Sequence, residues 1–292
     1  MCGEVVYLGP LRFEIAYDDL FWDMHFPTGF DLPVGMDISA SYKVQVCACG
    51  KMGPEKGKET ADADEFKEYM FQGRATRDFY NVFDGVKRCY AKIELYDHKI
   101  TVYFDTSHGW PKGKKREIWQ FLMLEKLLAR EGAIILHSAS VMVNGGGILF
   151  SGLSGVGKST QANLWKKYIP GTTGFNGDRN LLLRQNGIWY MCGFPWCGTS
   201  KEFRNGMVPL AGIALLKKGS EAEISELSRM EKFIRIYEQT TRNDWDRDYA
   251  YHVIDATDAL TSDVPICELR GTKEEASVRC LENWLEIQNG TI

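Results

Sequence analysis

The chain has 292 residues, of which 44% are apolar, 25% charged and 12% aromatic. That is a globular composition, with apolar residue for one large domain or two smaller ones, and it excludes disordered, collagenous and coiled-coil chains. Lys plus Arg is 35 and Asp plus Glu is 39, a formal net charge of −4, so no nucleic acid is expected as a partner.

A membrane span needs about 20 apolar residues. The most apolar stretch, Phe121 to Ala129, is cut by Glu125 and Lys126, so no membrane is expected as a partner. The opening MCGEVVYLGP lacks a basic region followed by an apolar core and does not read as a secretory signal. A cytoplasmic location is therefore expected. The eight cysteines, at 2, 47, 49, 89, 192, 197, 267 and 280, include no Cys-x-x-Cys pair. The spacing of Cys47 and Cys49 with Cys192 and Cys197 does not favour a four-thiolate zinc site, and all eight read as reduced thiols.

Residues 1–112 read as a β-rich N-terminal domain. Leu11 to Ala16, Tyr42 to Ala48 and Lys92 to Phe104 alternate apolar and polar residues. The last of these carries a turn at Asp97-His98 and reads as a hairpin. Gly50 to Glu65 is polar and rich in Lys and Glu, which predicts a long exposed loop leading into a short helix near Glu65 to Gln72. Gly109 to Arg116 marks a connection. Apolar residues Ile118, Trp119, Leu122, Leu124, Leu127 and Leu128 then predict a helix over 115–130, stopped by Gly132.

From 113 to 292 the pattern is mixed α/β. Short strands are expected at Ala133 to His137, Ser140 to Val143 and Gly147 to Phe150, with a turn at Asn144-Gly145-Gly146. A helix follows over Lys158 to Tyr168. Further strands are expected at Asn180 to Leu183, Ile188 to Cys192 and Gly212 to Leu216.

The chemistry is carried by Gly152-Leu153-Ser154-Gly155-Val156-Gly157-Lys158-Ser159, which fits G-x-x-x-x-G-K-[ST] at every position. In such a loop the glycines let backbone N–H groups surround phosphate oxygens. The helix that starts there points its positive end at the same oxygens. Lys158 would meet the β and γ phosphates, and the Ser159 hydroxyl would bind Mg²⁺. The loop sits between an apolar strand and an amphipathic helix, as the motif requires.

Phosphoryl transfer needs a further acid to hold Mg²⁺ or take a proton. Asp178, about one helix after the loop, is preferred over Asp255, which ends the apolar run Tyr251 to Ile254. Arg179 stays open between a phosphate contact and a surface ion pair. No Asn is followed by Lys, so the Asn-Lys-x-Asp guanine signature is absent and ATP is the expected nucleotide.

Four segments in order carry a resemblance. These are Leu136-His137-Ser138-Ala139-Ser140, Gly147 to Thr160, Gly177-Asp178, and Gly193-Phe194-Pro195-Trp196-Cys197-Gly198-Thr199. Together they resemble the HPr serine kinase family. They are most similar to the HPr-kinase-related proteins encoded with ribosomally made peptide natural products, and PEP carboxykinases share the nucleotide-binding core more remotely. The resemblance implies an α/β fold, a P-loop-containing HPr kinase/PEP carboxykinase-like core joined to the β-rich domain. It implies ATP and Mg²⁺ as cofactors, with Gly152, Ser154, Gly155, Val156, Gly157, Lys158, Ser159 and Thr160 at the nucleotide. Asp178 would be base or metal ligand, and His137 would approach the acceptor or the γ phosphate. Pro195, Trp196, Gly198 and Arg204 would border an acceptor, expected to be a Ser or Thr hydroxyl of a peptide or protein. The chain departs from the family at Gly177, where HPr kinases carry the first of two Asp residues, and at Thr160, where an acidic residue is common. The HPr-recognition signature is missing, so HPr is not the expected acceptor. A small-molecule kinase, a PEP-carboxykinase-like enzyme and an ATP-sensing partner without turnover remain alternatives. The β-rich domain is expected to bind the acceptor or to build a homo-oligomer.

Overall fold

The computed structural model describes residues 2–21, 30–50, 52, 57–111 and 117–289. The basic run Lys112, Lys114, Lys115 and Arg116 lies outside the described residues, as do residues 51 and 53–56 of the stretch expected to be a long loop; the later part of that stretch is instead a strand, Lys58–Asp62, paired with Phe66–Phe71. The chain divides into two compact units, Met1–Asp31 with Asp37–Leu127, and Leu32–Met36 with Leu128–Ile292.

The first unit is built on one mixed sheet. Its strands are β1 (Cys2–Leu8), β2 (Leu11–Tyr17), β3 (Ala40–Cys49), β4 (Lys58–Asp62), β5 (Phe66–Phe71), β6 (Arg74–Phe83), β7 (Val86–Tyr96) and β8 (Lys99–Asp105), in the order β1-β2-β3-β8-β7-β6-β5-β4. β2, β3 and β8 run parallel, and the other pairs are antiparallel. The alternation in β2 is clean: Leu11, Phe13, Ile15 and Tyr17 are buried and the residues between them are partly exposed.

The helix expected near Glu65 to Gln72 is instead the strand β5. Phe66, Tyr69 and Phe71 suit a pleated surface. Gln72 and Gly73 both adopt positive φ, 48° and 78°, and make the two-residue turn that folds β5 onto β6. The expected helix over 115–130 is also broken. Ile118–Phe121 forms a 3-10 turn and α1 is only Leu124–Arg130, because Met123 between them has φ of 50°. Beneath β5 and β6 lies a buried ionic cluster. Arg77 donates to Glu68 and to Glu125, each at 2.8 Å, and Lys126 bonds the other oxygen of Glu68.

The second unit comprises β9 (Ile134–Val143), β10 (Gly146–Ser151), α2 (Lys158–Tyr168), β11 (Thr173–Asn176), β12 (Arg179–Gln185), β13 (Ile188–Cys192), β14 (Met207–Lys218), β15 (Glu223–Ser225), α3 (Arg229–Gln239), α4 (Arg247–Asp263), β16 (Ile266–Gly271) and α5 (Glu275–Asn289). The main strand order is β10-β9-β12-β13-β14-β16-β15, with β10 also paired to β14 and β11 to β9. The two strands expected at 133–137 and 140–143 are one continuous β9. Its first part pairs with β12 and its second with β10, so His137 sits inside a strand rather than at its end.

Apolar residues on both sides of this sheet form two cores. One packs Leu164 and Trp165 of α2 and Leu281 and Leu285 of α5 against Val141, Ile148, Phe150 and Leu269. The other packs Ile236 of α3 and Val253 and Leu260 of α4 against Leu136, Leu149, Leu215 and Ile266. β10, β14 and β16 run parallel between these helix layers. In such a sheet, ligands bind outside the carboxyl ends of the strands. Among the described residues no helix is long and apolar enough to cross a membrane.

Candidate functional site

The motif loop emerges from the carboxyl end of β10 and runs directly into α2. Gly152, Gly155 and Gly157 take φ of 142°, 73° and 117°, backbone states that L side chains rarely adopt. A Cβ at Gly152 would also press on the Leu216 carbonyl at 3.2 Å. Gly157 is the N-cap of α2, and no side chain caps it. The first N–H groups of the helix are therefore left to other acceptors. Lys158 is buried, and its Nζ donates to the Gly152 carbonyl at 2.9 Å and to that of Leu153 at 3.3 Å. Burial lowers its pKa, and the Asp178 carboxylate pulls it back up. Ser154 and Ser159 are exposed, while Val156 and Thr160 are partly buried.

Beside this loop is a cavity of about 430 Å³, lined by Gly155, Gly157, Gln161, Lys218, Thr272 and Lys273 among others. Gln161 of α2 closes one wall by donating to the Thr272 carbonyl at 2.8 Å.

Asp178 stands in the turn between β11 and β12, and a buried polar network fixes that turn. The Asn176 side-chain oxygen accepts from the backbone N–H of Asp178 at 3.0 Å and of Arg179 at 3.2 Å. Its amide nitrogen donates to the Phe194 carbonyl at 2.8 Å. Ser140 accepts from the Asn176 N–H at 3.0 Å and donates to Asn180, whose amide nitrogen bonds Ser138. Asn176, Asn180, Ser138 and Ser140 are all buried. A buried polar group without partners is costly, so a satisfied set of this kind rigidifies what it holds. Sequence reasoning missed Asn176 and Asn180. The available signal was the Asn-x-x-Arg-Asn frame around Asp178, because Asn readily bonds backbone N–H groups two residues on.

The structure brings His137, Lys158, Asp178 and Arg179 together. His137 Nε2 lies 3.4 Å from Asp178 Oδ1, and Arg179 Nε lies 3.9 Å from Asp178 Oδ2. His137 and Arg179 are direct cross-strand neighbours on β9 and β12. Burial pushes the His137 pKa down, the Lys158 cation adds to this, and Asp178 and a hydrogen bond donated to Gln239 oppose it.

The residues expected at an acceptor separate. Gly198 lies against Asp178: it has φ of 62°, and a Cβ there would come within 2.8 Å of the Asp178 Cβ. Trp196 is partly buried, its carbonyl accepts from the Arg179 N–H at 3.1 Å, and its ring faces the Arg179 guanidinium with 5.9 Å to the centroid. Pro195 is buried. Arg204 is tied to β11, donating from Nε to the Gly174 carbonyl at 2.9 Å.

Asp255 does not end a strand. It lies on an exposed face in the middle of α4, a helix whose start is capped by Asp246. Trp189 is core, and its ring N–H donates to Asp263 at 3.0 Å. Burial raises the Cys192 thiol pKa to about 12, which keeps it protonated.

No protein-family model matches the chain, and no curated protein matches it. A solved structure that it resembles is the HPr(Ser) kinase/phosphatase from Coxiella burnetii, at 14% identity and a TM-score of 0.25. The match covers 32% of this chain and 64% of that one, so the chain spans less than two thirds of the length of the structure it matches.

Proposed function

We propose that this chain is an ATP-dependent kinase that transfers the γ-phosphoryl group to a Ser or Thr hydroxyl of a peptide or protein. The observation that carries the reading is one arrangement. A complete phosphate-loop sequence lies between a buried strand and an uncapped helix, with the Asp178 carboxylate acting on the Lys158 cation against the effect of burial. The cavity beside the loop suits a nucleoside, whose triphosphate would lie over the loop.

The donor set fits Mg²⁺, a hard cation that takes oxygen ligands. Ser159 and Asp178 would hold it, and when bound it supplies neutralisation of phosphate charge. The loop amides and Lys158 bind and orient the β and γ phosphates. Asp178, braced by Asn176, takes the proton of the acceptor hydroxyl. The acceptor oxygen forms a bond to the γ phosphorus. The bond from that phosphorus to the β-γ bridging oxygen breaks, and ADP leaves with the electron pair. His137, whose pKa its surroundings lower, orients the Asp178 carboxylate. Catalysis in such a site is positioning plus charge stabilisation.

A second reading, an ATP-sensing partner without turnover, is favoured by Gly177. A side chain there would collide with Ser200, so no second carboxylate can stand beside Asp178 without moving that segment. Incubation with Mg·ATP and a Ser- or Thr-containing peptide library, read by mass spectrometry, separates the two. The kinase reading expects one phosphoryl group gained on a hydroxyl. ATP binding with no phosphoryl gain and no ADP formed would favour the sensor.

A further inference from the structure

Arg179 is a cation of this site that lies outside the phosphate loop. Register places the start of the phosphate loop one row from Arg179 across β10, β9 and β12, since Ser151 pairs with Ser138 and the preceding residue, His137, pairs with Arg179. Adjacent strands lie about 4.8 Å apart, so the Arg179 backbone stands two strand steps from the loop. In the kinase reading the phosphates are met by Lys158 and the loop amides, while Arg179 stands beside Asp178, the group that would take the proton of the acceptor.

Its guanidinium is pre-set. Nη1 donates to Thr241 Oγ1 at 2.6 Å, and the plane is braced by the Trp196 ring. Thr241 is itself fixed: its N–H donates to the Ile135 carbonyl at 2.8 Å, and its carbonyl accepts from the Tyr249 hydroxyl. A guanidinium has five N–H donors, and among the described residues Thr241 is the only side chain that takes one at hydrogen-bond distance. Asp178 is too far, at 3.9 Å, for a forked pair. The Arg179 side chain remains 35% exposed. A surface ion pair of that kind contributes little stability, whereas an anchored, planar, half-open guanidinium is a receptor for carboxylate or phosphate.

We infer that Arg179 is a specificity residue for the acceptor, receiving an anionic oxygen group that the acceptor carries beside the reacting hydroxyl. The inference rests on the kinase reading above and deepens it. The anion is a carboxylate or a phosphate, and its source is an acidic side chain, a phosphorylated residue or a free chain terminus. Trp196 and Thr241 are positioning residues for it.

The test is a binding measurement that needs no turnover. The full chain is loaded with Mg²⁺ and a non-hydrolysable ATP analogue. It is then titrated against labelled single-Ser peptides, read by fluorescence anisotropy. The peptides differ only beside the Ser, which is followed by Asp, by phosphoserine, by a free terminal carboxylate, or by Ala with an amidated end. Wild type is expected to bind at least one anionic peptide about tenfold or more tighter than the neutral one, the effect of one charge-assisted contact. In Arg179→Gln that preference disappears. Arg179→Lys retains only part of it, because an ammonium lacks the fork. No preference in wild type, or a preference that survives Arg179→Gln, overturns the inference. Should Arg179→Gln fail to fold, Arg179→Lys decides alone, and a preference equal to wild type overturns it. Replacing the analogue with ATP tests the kinase reading separately. A charge preference without phosphoryl transfer keeps the inference and removes the kinase. Phosphorylation indifferent to charge does the reverse.

Discussion

His137 Nε2 stands 3.4 Å from Oδ1 of Asp178, and the Lys158 and Arg179 cations both act on the ring. Burial and the two cations lower the imidazole pKa, so the ring is less protonated than an ordinary histidine at the same pH. The unfolded chain therefore binds more protons than the folded one just below the ordinary imidazole value of 6.5. Stability rises with pH through that window and levels above it. His137→Gln is expected to flatten this slope in denaturant titrations run across the window. An unchanged slope would show that His137 does not carry it.

Asp178 and Asp255 separate cleanly. Asp178→Asn keeps the shape and removes the negative charge, and is expected to cost at least ~10²-fold in phosphoryl-transfer rate, the low end for loss of a general base. Asp255→Asn, on the exposed face of α4, is expected to leave the rate unchanged. Steady-state kinetics of the two variants check this, and the opposite pattern would reassign the acid.

Asn176 holds the Asp178 turn through two accepted N–H groups and one donated hydrogen bond. Asn176→Ala leaves those groups without the side chain, in a buried place. The expected loss is about 1–3 kcal/mol of stability, together with a fall in turnover. Asp178→Asn is expected to lower turnover alone. Denaturant unfolding run beside turnover measurements distinguishes the two.

Much of the candidate site is local in sequence, because the phosphate-loop motif is a single short run. Eight consecutive residues specify it, and the strand and helix around it follow from short apolar patterns. Asp178 is a candidate from its distance beyond the helix, and the fold sets it beside His137 and Arg179. Asn176, Asn180 and Thr241 were not legible, because their roles depend on strands and segments that meet only in the fold. β9 was read as two strands because His137-Ser138 interrupts its apolar run, yet Ser138 is buried and bonded to Asn180. α3 carries a sequence signal of its own: Ser228 at its N-cap and Glu231 in its first turn make a capping box. α4 mixes buried threonines and alanines with charged residues, which weakens its periodic pattern, and this hid the helical setting of Asp255.

The buried ionic cluster of the first unit is expected to matter for folding rather than chemistry. Arg77→Met removes the cation shared by Glu68 and Glu125. Breaking a buried pair from one side costs about 3–5 kcal/mol. Thermal or denaturant unfolding should show that loss, while ATP affinity of the protein that remains folded stays at the wild-type level.

The central claim is that the loop from Gly152 to Ser159 binds the phosphates of ATP, with Lys158 as its cation. Isothermal calorimetry with Mg·ATP on wild type and Lys158→Ala tests it most directly. The account predicts a saturable heat in wild type and at least about tenfold weaker binding in the variant, the effect of losing one charge-assisted contact. Equal affinity in both proteins, or no binding of Mg·ATP to wild type, would contradict it.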